Sequence, residues 1–493
     1  MIKKIISKYW VLIIILLLGA FLRLYQIGDY MEFLGDQGRD VTIIRDFLKN
    51  GDLFFIGPQT SIGNMYLGPY FYYLIAPSLW LANYNPIGPA IFIALINIAT
   101  IFLIYFVSKH WFNQSTGLIA SFMFATSPVV IKYSNFIWNP NIMPFFALLF
   151  IFLFFEAIFH QKYRYFIWAT LAFVMVINSH YLGLALLPLV GLYWLIQFIK
   201  FFKNKSPQIK PFLINSLIAL FVFIISLTPQ ILFDIKHQGQ NFHALVNFFT
   251  YRETTVNIKA YKAIPKLIPL FDQVNTRLLA GKNETVGIIV SIVFIIGLFL
   301  IFLKKTPKKN RFFWISCLWY LSGLVSLALY KQHIYDHYFG FLFPVVFILM
   351  AYLINRIKCL GIPLLILIII FSLLQNPFRW SGVKQLDTTN QIVDSILEKA
   401  DDQSFNFALL AKQNYDPPYR YIITQKNGKI VDLHNQISDQ LFVVCEPFQI
   451  DCNPINNPEW SVAAFGWAKI DQQWEINGIK IFRLIHNLDG KKE

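Results

Sequence analysis

The chain has 493 residues, of which 56% are hydrophobic, 17% aromatic and only 14% charged, with a formal net charge of +15. Soluble domains carry about 25% charged residues, so a soluble domain is excluded and a polytopic helical membrane protein is expected. Nucleic-acid binding is excluded too, because residues 1–376 hold 30 Lys and Arg against 12 Asp and Glu while residues 377–493 hold 12 against 15, and the bases cluster in short loops as they do at membrane edges.

The basic start MIKKIISK runs into an apolar stretch ending at Leu24 without a small-residue cleavage pattern. It reads as an uncleaved first span, about 9–27, and Lys3, Lys4 and Lys8 place the N-terminus in the cytoplasm. The next stretch, DYMEFLGDQGRDVTIIRDFLKNGD, carries Asp29, Glu32, Asp36, Asp40, Asp46 and Asp52, half of the acids before residue 377. Asp36 is expected to cap a helix from Gln37 to Lys49 on the membrane surface, with Val41, Ile44 and Leu48 as its apolar stripe and Asn50-Gly51 as its stop. Asp36 and Asp40 then share one face, and Arg39 lies between them.

Residues 66–83, rich in Tyr and broken by Pro69 and Pro77, are expected as an interfacial helix rather than a span. Ten further spans follow, at about 86–108, 115–133, 142–159, 163–178, 181–199, 212–233, 285–303, 312–330, 341–354 and 360–375. This count puts the basic loops 200–211 and KKTPKKNR inside, and the tail outside. A loop of about 50 residues, 234–283, is left between two spans; it carries His237, His243, Tyr251, Arg252 and Glu253 and reads either as a lid or as an interfacial segment. The tail, 377–493, reads as a small α/β domain with a helix at 388–400 and strands at 405–410, 419–424, 441–448 and 479–485. Cys445 and Cys452 form a small disulfide loop if the tail meets an oxidising compartment, or remain two free thiols. The expected fold is therefore an all-α polytopic membrane protein of about 11 spans plus interfacial helices (1–376) with an extracytoplasmic α/β domain (377–493).

The polar residues that gather outside the spans are the candidates for chemistry. The acidic loop offers a base for a hydroxyl, set against the plainer reading of capping and solvation. Asn139 and Asn141, in the WNPN turn after the third span, can recognise a sugar, or simply make a Pro-initiated helix start. Lys331, His333, Asp336, His337 and Tyr338 stand at an outer boundary. Cations there suit a phosphate, and the i,i+4 pair His333 and His337 suits a metal only weakly. His180 sits in a tight outer turn beside Tyr181. Glu156 is the one carboxylate inside a span, near its cytoplasmic end, where it can snorkel to water. The lack of a row of intramembrane charges counts against an ion-coupled transporter.

The order GDQGRD (35–40), GPYFYYLIAP (68–77), SKHWF (108–112), IWNPN (137–141) and HYFGFLFP (337–344) resembles the GT-C glycosyltransferases. The similarity is to the branch of the protein O-mannosyltransferases and the lipid A aminoarabinose transferase, over about residues 9–375. The resemblance implies a polyprenyl-phosphate sugar donor, transfer with inversion to a glycan, lipid or protein acceptor, and a role in the cell envelope, as in lipopolysaccharide or glycolipid synthesis at the plasma (inner) membrane. It implies Asp36 as the catalytic base, with Asp40 as second carboxylate. Arg39, Lys331 and His337 would hold the donor phosphate, with Asn139, Asn141, His180, His333 and Tyr338 around the substrate. The family often has Asp-Glu where this chain has Asp36-Gln37, and Asp where it has Asn139 or Asn141, so a divalent metal stays open. The alternatives are a lipid-linked glycan flippase or a non-catalytic scaffold.

Overall fold

The computed structural model describes the chain apart from residues 1, 61–64, 251–254, 258, 304–309, 447–451 and 488–493 and the side chains of 2–8, 260, 358 and 359. The side chains of Lys3, Lys4, Lys8 and Cys359, residues Tyr251, Arg252 and Glu253, most of KKTPKKNR and the end of the expected strand 441–448 thus lie outside the described residues.

The elements run in order as follows. Helices α1 (Ile2–Leu24), α2 (Ile27–Tyr30), α3 (Gly35–Asn50), α4 (Tyr70–Leu81), α5 (Ile87–Trp111), α6 (Gln114–Thr126) and α7 (Pro128–Lys132) lead to a 3-10 turn, Asn139–Ile142. Then come α8 (Met143–His160), α9 (Tyr165–Ser179), a 3-10 turn at Tyr181–Leu186, α10 (Leu187–Lys203), α11 (Ile209–Ser226), α12 (Thr228–Lys236), α13 (Gln240–Thr250) and α14 (Ile264–Leu279). Helices α15 (Glu284–Leu303) and α16 (Arg311–Leu329), a 3-10 turn at Asp336–Leu342, α17 (Phe343–Arg356) and α18 (Lys358–Leu374) complete the apolar part. The tail holds α19 (Gln385–Ala400), β1 (Asn406–Leu410), α20 (Pro417–Gln425), β2 (Gln440–Cys445), α21 (Trp460–Ala463), β3 (Ala468–Ile476) and β4 (Ile479–His486).

A helix lies at each of the eleven expected spans. Among the described residues, seven helices are long and apolar enough to cross a bilayer, and Tyr9–Leu24, Tyr165–Ser179 and Leu360–Leu374 are shorter apolar ones. The chain is a multi-pass, mostly helical membrane protein. Helix α4 has 12 residues, about 18 Å at 1.5 Å per residue, and is too short for an apolar layer of about 30 Å. The expected span 115–133 is broken: Ser127 is extended and Pro128 starts α7, because proline disfavours a helical residue before it. The stretch 234–283 is not a loop. It folds into α13 and α14, and α14 buries Leu270, Val274, Leu278 and Leu279 along one face.

The chain packs as two compact units: Met1–Tyr25, Leu53–Ile75 and Ile91–Ser381 form one, and Gln26–Asp52, Ala76–Ala90 and Gly382–Glu493 the other. In the first, every residue of α17 from Phe343 to Ile354 is buried. It is apolar all round because neighbours cover all its sides. Helix α15 instead leaves Ile288, Ile292, Ile295, Phe299 and Leu303 exposed, as a lipid-facing surface requires. Arg23, buried near the end of α1, donates to the Gly19 and Ala125 carbonyls at 3.1 and 3.0 Å and to Phe124 O at 3.3 Å, which ties α1 to α6.

In the second unit the tail sheet has order β1-β2-β4-β3, with β1 and β2 parallel and the other pairs antiparallel. Parallel neighbours need a crossover, and α20 lies in it. The expected strand 419–424 is thus a helix: its Tyr and Ile content suits a strand, but Pro417 and Pro418 at the first turn start a helix. Strand β3 is largely exposed and forms the edge. Cys445 and Cys452 are joined as a disulfide across seven residues, Cα atoms 6.0 Å apart. Closing so short a loop restricts the unfolded chain by about 2–3 kcal/mol. Cys452→Ser is expected to lower the stability of the tail by that amount, read by urea denaturation of the full chain followed at tail tryptophans. Addition of a reductant should do the same to the parent and nothing to the variant.

Candidate active site

The acidic helix α3 begins two residues earlier than expected, and Asp36 does not cap it. Leu34 is the cap residue, and the Gln37 Oε1 atom accepts its backbone N–H at 2.9 Å. A glutamine at the third helical position closes the turn in this way, which leaves Asp36 inside the first turn, where free backbone N–H groups favour a carboxylate. Gly51 ends the helix at φ +80°, and Val41 and Ile44 are fully buried, as expected, with Leu48 only partly so.

Arg39 bridges the two carboxylates. Its Nη1 meets Asp36 Oδ1 at 2.9 Å, and its Nε and Nη2 meet Asp40 Oδ1 at 3.0 and 2.8 Å. The Asp40 side chain is fully buried, whereas that of Asp36 is 47% exposed. Asp40 therefore anchors the guanidinium, and Asp36 is the more exposed of the two carboxylates. The tail braces this helix. Gly35 N–H donates to Asn414 Oδ1 at 2.9 Å, and Asn414 Nδ2 and Tyr419 Oη donate to Glu446 Oε1 at 2.7 and 3.1 Å. Arg45 lies over the Tyr421 ring at 5.2 Å, and Tyr421 donates to Tyr84 O at 2.6 Å. Burial, then the Glu446 charge, push the Tyr419 phenol well above its usual range, which keeps it a donor.

The other predicted residues lie in the first unit. The His337 ring sits 4.3 Å from Trp138 and 4.6 Å from Tyr338, and His180 lies 4.7 Å from Tyr338 and 6.1 Å from His337. Tyr133 stacks on Trp138 at 6.2 Å. The buried amides hold this turn: Asn139 Nδ2 donates to Ser179 O at 2.6 Å, Asn141 Nδ2 to Phe136 O at 3.0 Å, and Asn97 Nδ2 to Asn141 O at 3.1 Å. Asn141 and His337 also line a cavity of about 10 Å³ with Asn97 and Tyr133, room for one water. The segment ahead of α4 is locked to the His180 turn. A Cβ on Gly68 would run into Asn178 Oδ1, and Tyr181 donates to Tyr66 O at 2.8 Å.

Three details depart from expectation. His333 and His337 do not share a helix face, because Tyr335 is extended and the 3-10 turn starts only at Asp336; His333 contacts Tyr335 instead, at 4.5 Å. Asp336 is matched by Arg277 Nε at 3.3 Å and Lys282 Nζ at 3.5 Å. Lys331, partly buried, is fixed through its backbone N–H to Thr255 O at 2.9 Å. Sequence reasoning missed Asn97, Tyr133, Arg277 and Lys282. A lone amide inside an apolar run pointed to Asn97; the two cations lay in a stretch read as loop.

His180 Nδ1 accepts the Leu182 N–H at 3.1 Å, so the neutral ring carries its proton on Nε2 and works as a donor rather than a cation. Burial pushes its pKa down to about 4 from 6.5. The sign follows. The unfolded chain takes up this proton as pH falls through 6.5, and the folded chain resists until about 4, so stability present above pH 6.5 is lost progressively from 6.5 to 4. Thermal melts across that range should fall more steeply for the parent than for His180→Gln.

A catalytic divalent metal does not fit these residues. Arg39 already supplies the positive charge between the two carboxylates, and Asn139 and Asn141 are neutral amides whose nitrogens serve the turn.

The description dolichyl-phosphate-mannose-protein mannosyltransferase belongs to a family model that matches residues 67–228. No curated protein matches the chain in sequence. Among solved structures, ArnT from Cupriavidus metallidurans in the apo state is 11% identical with a TM-score of 0.61, over 97% of this chain and 98% of that one. ArnT of that organism bound to undecaprenyl phosphate gives 10% and 0.60, over 96% and 98%. The Archaeoglobus fulgidus oligosaccharyltransferase in complex with Zn and sulfate gives 14% and 0.50, over 88% and 68%. The family match spans residues 67–228 and the structural likeness spans nearly the whole chain, so the chain shares the fold of ArnT.

Proposed function

We propose that the chain is a glycosyltransferase that moves a sugar from a polyprenyl-phosphate donor to an extracytoplasmic hydroxyl on a glycan, lipid or protein, with inversion. The observation that carries this reading is the unequal pair on α3, a buried Asp40 holding Arg39 and an exposed Asp36 beside it. The acceptor oxygen attacks C1 of the sugar on the side opposite the phosphate. The C1–O bond to phosphate breaks, its electron pair leaves with polyprenyl phosphate, and the acceptor proton passes to Asp36. A single displacement inverts C1. Arg39 is assigned to the donor phosphate. A phosphate that draws Arg39 Nη1 also frees Asp36 of its partner, so donor binding readies the base. The binding of undecaprenyl phosphate by ArnT supports the donor class. The Cys445–Cys452 disulfide supports an extracytoplasmic tail on a plasma-membrane protein whose N-terminus is cytoplasmic.

The test uses purified protein in liposomes with a panel of labelled polyprenyl-phosphate sugars and a mixed acceptor extract. Release of polyprenyl phosphate with label on an acceptor is the expected result. Movement of intact donor across the bilayer without release would replace the transferase by a flippase, and binding of no donor at all would sink both.

A further inference from the structure

We propose that His110, Glu156 and His160 form a divalent-cation site of the zinc type, at the far end of the helices that carry the WNPN turn. Glu156 was expected to snorkel to water. It is instead only 5% exposed, although it lies near the end of an apolar helix. His160 is one turn further along α8 and shares its face, and His110 comes from the end of α5. His110 Nε2 lies 2.8 Å from Glu156 Oε1, and His160 Nδ1 lies 3.1 Å from Glu156 Oε2. The three ligand atoms fall within 4.8 Å of one another, and no other such trio of His, Cys, Asp and Glu occurs among the described residues.

The donor chemistry selects the ion. Two imidazole nitrogens and one carboxylate oxygen suit zinc, which binds them at about 2.0–2.2 Å. Tetrahedral ligands at that length stand about 3.3 Å apart. The two histidine nitrogens now face different oxygens of Glu156, at 2.8 and 3.1 Å, and with one ligand atom from each residue the trio lies within 4.8 Å, so side-chain rotation alone closes it around an ion. Both histidine side chains are about two-fifths exposed, 41% and 37%, so an ion has a way in and a solvent-facing fourth position. The ring of His110 is held by its stack on Phe106 at 6.4 Å and by the edge of Phe152 at 5.9 Å. A buried carboxylate needs compensating charge, and a neutral imidazole brings a hydrogen bond but no charge. Lys162 Nζ, 3.8 Å from Glu156 Oε2 on a side chain 55% exposed, is the cation now nearest. It is a flexible competitor that the ion displaces.

The site is apart from the WNPN turn. His160 follows Asn141 by 19 residues of largely helical chain, about 28 Å at 1.5 Å per residue. Its consequence is mechanical: an ion bound there clips the ends of α5 and α8, the helices whose other portions carry Asn97 and the WNPN turn.

The experiment uses full-length protein in nanodiscs with any affinity tag removed, dialysed against trace Zn²⁺ and, separately, Co²⁺. Metal content, the Co²⁺ absorption spectrum and the Zn²⁺-dependent Tm are read. One tightly held ion per chain is expected, with a tetrahedral Co²⁺ spectrum and a Tm that rises with Zn²⁺. His110→Ala and His160→Ala should each weaken binding by more than about tenfold, the loss that even a ligand's hydrogen-bond partner commonly causes. Lys162→Ala should strengthen it, and Asp36→Asn should leave it unchanged. Glu156→Gln risks misfolding, so the half-exposed histidines carry the test. Folded parent protein that retains no ion, or retention that survives the double histidine variant, overturns the proposal.

Discussion

Asp36→Asn is expected to lower turnover at saturating donor by about 10²–10⁴-fold, the usual contribution of a positioned base, with donor affinity changed by no more than a few-fold. Asparagine keeps the size and polarity of the side chain but cannot take the acceptor proton. The loss cannot be laid to folding. The Asp36–Arg39 pair is half-exposed, and such pairs contribute about 0–1 kcal/mol. Asp36→Glu should recover part of the rate, since it restores a carboxylate at altered reach. Asp40→Asn makes the informative contrast: its side chain is fully buried and anchors Arg39, so it should lower Tm and donor affinity together. The measurement is initial rate against donor concentration for the three variants, with Tm alongside. An Asp36→Asn enzyme within tenfold of the parent would move the base elsewhere.

The sequence was most readable where one segment decides its own structure. Apolar runs of span length became helices, and Gly51 stopped α3 where expected. Misreadings arose where two local signals compete. Tyr419–Thr424 has strand-like residues, but two prolines ahead of it open a helix. Asp36 has the chemistry of a cap, but Gln37 reaches back and takes that role. Helix α17 shows no polar face because it has none to show. What stayed invisible were convergences across distance: His110 onto Glu156, Trp138 onto His337, Asn414 onto Gly35. Each partner lies tens to hundreds of residues away, and no period or propensity links them. The candidates from the acidic loop and from the outer turns could therefore be named from the chain, but not the groups that hold them.

The brace on α3 yields the second large effect. Gly38→Val is expected to cost about 3 kcal/mol or more and to lower activity with it. A Cβ at Gly38 would run into Pro418 N and lie 2.6 Å from Pro417 C and 2.7 Å from Pro418 Cα. These are backbone atoms of a double proline at the start of α20, and they cannot turn aside as a side-chain tip would. Overpacking usually costs about 1–3 kcal/mol, and here the branch adds two more carbons with no room for either. For Gly38→Ala two effects compete. Helix propensity gains about 1 kcal/mol, whereas the same three contacts remain, so the net loss is smaller but keeps its sign. Gly191→Ala is the control: nothing lies within 4 Å of its Cβ, and it should be neutral or slightly stabilising. The diagnostic arm is the double variant Gly38→Val with Pro418→Ala. Trimming the ring leaves N and Cα in place, so the clash persists and Tm should not recover. A recovery would mean that the ring, rather than the backbone approach, sets the fit between α3 and α20. Thermal melts and limited proteolysis of α3 decide between them, and activity should track the fraction of chains in which α3, with Asp36 on its first turn, stays seated.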